Sequence, residues 1–255
     1  MNTLLHYDLL RLEAFQQNPE IQNAIAINQC GELTLLKFKP INYFNYCIGK
    51  IESTQVIDYV EEFYADIHQK NHQVIIDSKD LLSLDIIKKF PKYKQRETIC
   101  IMTLSPEEEP ISPQENTIQL KLVSEKDIAE FAWLYLNCFD AENRHEESVV
   151  ENFRLKLKAP GLEFYFIMVD GVPVGITGLY FHPEFTVLSV GAIQEKYRFQ
   201  GYHKSALSDR IKRAKTQNPE KPIYSWAYKN SISHQNMIKS GLKLSQEFLA
   251  FQHAG

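Results

Sequence analysis

YRFQGYHKSAL, running from Tyr197 to Leu207, joins an apolar strand pattern, FTVLSVGAI over 185–193, to a helical pattern that continues to about Gln217. An arginine, a lone glycine and a histidine stand where the strand gives way. A helix start leaves several backbone N–H groups unpaired, and those donors together with the helix dipole suit a phosphate. Gly201 lets the backbone come close or adopt an unusual φ. Arg198 supplies a cation that can hold an oxygen or the loop itself. Glycine turns before helices are common, so these residues alone leave a phosphate cradle and a plain structural turn both open.

Working outward, the rest of the second half alternates. TIQLKLV (117–123) reads as a strand, and Ser124 with Asp127 forms a capping box for a helix through Phe139. A second helix spans about Glu147 to Lys158. A hairpin follows, turning at Asp170-Gly171. KPIYSWAY is a strand, Ser231 to Ser240 a helix stopped by Gly241, and EFLAFQ a closing strand. Before all this, SPEEEPISPQEN (105–116) carries three prolines and four glutamates and reads as a linker. The chain therefore divides into 1–104, a linker 105–116 and 117–255. The first part reads as a helix over 3–17 with Leu5, Leu9 and Leu12 on one stripe, strands 31–38 and 41–48, a helix 55–69, a strand 72–77, a helix 80–90 and a strand 97–104. The class is α/β with a mixed sheet. IKKFPKYKQ (87–95) echoes IKSGLKLSQ (238–246) at Ile87/Ile238, Lys88/Lys239, Lys92/Lys243 and Gln95/Gln246. Each follows a strand and helix of similar length, as in a degenerate duplication.

Spacing adds weight to the opening stretch. Arg198 and Gly201 resemble the first and fourth positions of the pyrophosphate loop of the GNAT acyltransferase superfamily, Q/R-x-x-G-x-G/A. About thirty residues on, Asn230, Ser233, Met237, Gly241 and Leu242 are similar to its second signature, N-x-x-S/A-x-x-x-Y-x-x-x-G-F. The resemblance covers about 117–252, with a weaker half-copy over 41–104. It implies a GNAT-like fold, acetyl-CoA as acyl donor and an amine of a small molecule or peptide as acceptor, with no metal. It also implies that the strand before the loop and the next strand splay around the pantetheine arm. Ala192 and Ile193 would then offer backbone groups to that arm, the amides around Phe199, Gln200, Gly201, Tyr202, His203 and Lys204 would hold the pyrophosphate, and Asn230 and Ser233 would touch the cofactor. The thioester would lie near YSWAY, where backbone N–H groups would stabilise the oxyanion.

Two positions depart from the pattern. His203 stands where the family has glycine or alanine; its imidazole is expected to turn out to solvent, the alternative being donation to a phosphate. Met237 replaces the tyrosine that protonates the leaving thiolate, a task methionine cannot perform. Tyr228, His234 or water could serve instead, His234 being expected on the surface. For a general base, the acidic stretch FDAENRHEES offers Asp140, Glu142, His145, Glu146 and Glu147, with His145 or a partly buried Glu146 the natural choices. The competing reading of that stretch is a solvated acidic loop.

Composition closes other routes. A net charge of −4 advertises neither nucleic acid nor an anionic membrane. No apolar run approaches a membrane span, and the N-terminus does not read as a signal peptide. Four dispersed cysteines read as reduced, mostly buried thiols of a cytoplasmic protein. His68 and His72 have metal-compatible spacing but no nearby third ligand, so they read as exposed. The basic run DRIKRAKTQNPEK reads as a solvated helix face, Arg210 or Lys212 having the further option of the CoA 3′-phosphate. Aromatics around Trp226 read as core or pantetheine wall. A non-catalytic CoA-binding or interaction module stays open beside the enzyme, and so does a homodimer.

Overall fold

The computed structural model describes residues 3–67, 71–111, 117–139 and 145–254. The helices are α1 (Thr3–Gln16), α2 (Thr54–Phe63), α3 (Leu81–Ile87), α4 (Ile128–Cys138), α5 (Glu146–Leu157), α6 (Tyr202–Gln217) and α7 (Ile232–Lys239). The strands are β1 (Ile25–Cys30), β2 (Leu33–Phe38), β3 (Tyr46–Ile48), β4 (Gln73–Asp77), β5 (Tyr93–Leu104), β6 (Gln119–Leu122), β7 (Leu162–Val169), β8 (Val172–Phe181), β9 (Thr186–Ile193), β10 (Ile223–Tyr228) and β11 (Lys243–His253). All eleven strands form one mixed sheet in the order β1-β2-β3-β4-β11-β5-β10-β9-β8-β7-β6. Only β3 with β4 and β9 with β10 are parallel.

The sheet is built twice around its middle. The offset that carries Ile87 onto Ile238 carries Thr98 onto Leu249, and these two face each other across β5 and β11. The same offset exchanges the pair Ile99/Phe248 with Glu97/Ala250. It also carries the α3 cap, Asp80 accepting from the Ser83 amide, onto the α7 cap, Ser231 accepting from the His234 amide. Each half lends its last strand to the other: β11 lies between β4 and β5, and β5 lies between β10 and β11.

Strand alternation sorts the core to two faces. From β5, Ile99 and Ile101 join α1 on one face, while Cys100, Met102 and Leu104 join α6 and α7 on the other. On the first face α4 and α5 cover the second half, and Tyr224 and Trp226 pack against both its core and that under α1. On the opposite face α2 and α3 cover β2 to β4.

Several sequence expectations shift. The buried stripe of α1 is Leu4, Tyr7, Asp8, Leu12 and Phe15, so Leu5 and Leu9 lie at its margin. The strands expected over 31–38 and 41–48 are β2 and β3, and ahead of them lies an unexpected one, β1, an exposed edge strand that carries little alternation. Strand β5 starts at Tyr93, earlier than its apolar pattern suggests, since Lys94 to Glu97 are polar and exposed. The Ser124–Asp127 box is present, and Asp170 and Gly171 take φ of 49° and 78° as a primed turn requires. Of the proline-rich segment, residues 112–116 lie outside the described residues. All four cysteines are free, three of them buried.

Candidate functional site

The site is organised by a strand that loses its neighbour. Strands β9 and β10 pair only at Thr186/Ile223 and Val187/Tyr224. One residue further the Ser225 hydroxyl donates to the Leu188 carbonyl (2.8 Å), and beyond it the strands part. Strand β9 continues to Ala192 and Ile193, both buried, the first facing α4 and the second α6.

At the end of β9 a short 3-10 turn (Glu195–Tyr197) leads to Arg198, Phe199, Gln200 and Gly201. Gly201 is the N-cap of α6 at φ 79°, a region that suits glycine, and no side chain caps the helix. Phe199 also has positive φ (64°), and its ring is 97% exposed at the tip of the loop. Among the described residues, the amides of Phe199, Gly201, Tyr202 and His203 have no backbone acceptor, whereas those of Lys204 and Ser205 bond to the Gly201 carbonyl. Four amides without backbone acceptors at an uncapped helix start have the chemistry that suits an anion. Arg198 does not point into it. Its guanidinium donates to the carbonyls of Ile193 (3.2 Å) and Cys138 (3.0 Å), so it ties the loop to the last residue of α4. The negative end of the α4 dipole favours that cation.

His203 turns inward, which corrects both the solvent and the phosphate expectations. Its Nδ1 accepts from the Asn236 amide of α7 at 3.1 Å, and the ring also bonds the backbone of Gly191. Burial first, and the nearby Arg210 charge second, push its pKa down to about 4. Arg210 corrects the solvated-face reading of the basic run: it is only 3% exposed. Its Nη1 donates to the carbonyls of Ser189 (3.2 Å) and Val190 (3.4 Å), and its Nε to Ala206 (3.4 Å). Burial lowers its pKa to about 10, still leaving a cation at neutral pH.

From the other side, α7 brings its own start to this end. Asn230 sits at φ 65°, exposed, and its N–H donates to His234 Nδ1 at 3.1 Å. His234 is thus buried, not on the surface, with its proton on Nε2. Ser233 is half-buried, and Met237 packs within the core beside Leu207 and Ile211. Tyr228 ends β10 half-exposed; burial and the Glu97 charge raise its pKa, so the phenol keeps its proton.

The expected bases fare differently. His145 and Glu146 begin α5 and are both exposed, so Glu146 is not partly buried. Asp140 and Glu142 lie outside the described residues, as does His68. His72 is buried against Tyr64 and bonds Tyr93 (2.8 Å), and no group of three metal-ligating side chains occurs among the described residues. Neither Asn236 nor Ser225 stood out in the sequence, because each acts through tertiary contacts that leave no local pattern.

No family model matches the chain, and no curated protein matches it. Solved structures do. A GCN5-related N-acetyltransferase from Sphaerobacter thermophilus matches with TM-score 0.68 and 11% identity over 91% of this chain and 83% of that one. One from Kribbella flavida matches with TM-score 0.63 and 10% identity over 96% of each chain. The chain thus has the fold of the GNAT acetyltransferases. Its two-half form is likewise that of a tandem GNAT protein from the clavulanic acid biosynthesis pathway, with TM-score 0.62 and 9% identity over 96% of this chain and 88% of that one. No helix among the described residues is long and apolar enough to cross a membrane.

Proposed function

We propose that this protein is a CoA-dependent acyltransferase that moves an acetyl group from acetyl-CoA to an amine. The observation that carries the reading is the parting of β9 from β10 immediately before the uncapped, amide-rich start of α6. A pyrophosphate on the amides of Phe199, Gly201, Tyr202 and His203, the Lys204 amide being taken by the Gly201 carbonyl, would send its pantetheine arm back along Ala192 and Ile193, with Asn230 and Ser233 flanking it from α7. Four residues of strand cover about 13 Å, which takes the arm to the level of Ser189, near where β10 rejoins. There the amine nitrogen attacks the thioester carbon, the C–S bond breaks, and the thiolate takes a proton, for which Tyr228 is the proposed donor. The ammonium proton leaves to a base at the start of α5, His145 or Glu146. Positioning supplies much of the acceleration in such a direct transfer.

Calorimetry with acetyl-CoA and CoA tests the binding step, with Gly201→Glu as the variant that places a carboxylate against the phosphates. Binding by the parent chain and its loss in the variant are expected; no binding even at about millimolar ligand, or about 4 kcal/mol, would contradict the proposal. Release of free thiol with a panel of amines tests transfer. A second reading, a CoA-binding module without catalysis, is favoured by Met237 in the core and by the exposure of His145 and Glu146. Binding without thiol release from any amine would select it.

A further inference from the structure

Backbone groups of a strand that loses its neighbour need new partners. Along β9, part of that need is met from within: Arg210 takes the carbonyls of Ser189 and Val190, and His203 bonds Gly191. The fit over Gly191 is close, since a Cβ there would lie 3.0 Å from Arg210 Nη2. His203 in turn holds Asn236, so a hydrogen bond spans the two helices that flank the parting strands. The His203 contact at Gly191 falls on the stretch of β9 along which a pantetheine arm would run.

We propose that the His203–Asn236 bond is a gate across the cofactor slot, and that CoA binds only after the imidazole has left Asn236. The inference rests on the CoA reading above. Arg210 stays in place as the cation that keeps the β9 carbonyls satisfied, while the two gate residues move. Each hydrogen bond that must be broken before binding weakens the apparent affinity by its own net worth, about 0.5–1.5 kcal/mol. Opening the gate by mutation should return that amount.

Calorimetry with CoA on the full chain tests this, comparing the parent with His203→Ala and Asn236→Ala. Circular dichroism melts check that each variant is folded, and His203→Gly serves if His203→Ala is not. The expected result is CoA affinity tightened about threefold to tenfold in both variants. Unchanged affinity in both, or weakened affinity in either, overturns the gate while leaving CoA binding standing. No binding by parent or variants removes the CoA reading itself, and the gate with it.

Discussion

The Asp8 carboxylate is fully buried under α1, accepting from the Tyr46 hydroxyl at 2.7 Å and pairing with Arg11. The Arg11 guanidinium lies over the rings of Tyr7, Tyr43 and Phe44 at 4.5, 4.9 and 4.8 Å. Removing one member of such a pair strands the other's charge, a loss of roughly 3–5 kcal/mol. Asp8→Ala should therefore lower the unfolding free energy by about 3 kcal/mol in urea titrations; a loss below about 1 kcal/mol would place the pair among ordinary surface bridges. His203 gives a pH signature of definite sign. Its folded pKa of about 4 lies below its ordinary 6.5, so between those values the unfolded chain binds the extra proton. Stability should fall as pH drops through that window. The parent should lose up to about 1.4 kcal/mol per pH unit more than His203→Gln, and parallel pH profiles would contradict the assignment. Such residues were hard to read in sequence for a common reason. Asp8 and Arg210 belong to types that are solvated by default, and only distant carbonyls, hydroxyls and rings make their burial tolerable. Gly201 was legible because its requirement, an unusual φ at a helix start, is local.

Among the elements, the exchange of β5 and β11 has the largest consequences. Strand β5 pairs with both β10 and β11, and β4 is the other neighbour of β11, so residues 117–255 alone would leave one edge of β10 and both edges of β11 unpaired. That fragment should associate or precipitate when expressed by itself, and recover native circular dichroism when co-expressed with residues 1–111. A monomeric fragment with the full melting transition would refute this. The helices and most strands were legible because caps, turn pairs and periodicity are local signals. Strand β1 and the start of β5 were not, since β1 is an exposed edge and Lys94 to Glu97 face solvent on both sides. The local glycine at Gly49 also has a non-local reason. At φ 139° it passes so near Glu32 that a Cβ would fall 2.1 Å from that carbonyl oxygen, and next to it β3 pairs with β4 along all three of its residues. In the first half β3 thus ends with its last pair to β4, whereas β9 runs on to Ile193 past its last pair with β10.

For the molecule as a whole, one sheet with a shared middle implies one cooperative unit. Tyr224, Trp226 and α1 bridge the two cores of one face, so neither half presents a finished surface to the other. Calorimetry should record a single unfolding transition, and two resolved transitions would show that the halves melt separately. The weak echo between 87–95 and 238–246 made the two-half plan legible, yet it carried no sign that the halves trade strands, because pairing partners leave no mark in a strand's own pattern. The order of the central strands also bears on biosynthesis. Strand β11 is made roughly 140 residues after β5, and at roughly 5–20 residues per second that interval lasts roughly 7–28 s. Throughout it β4 and β5 have been made without β11, the strand that pairs with both in the finished sheet. The central sheet can close only late in synthesis, and until then those open edges are where a chaperone, or a neighbouring nascent chain, would engage.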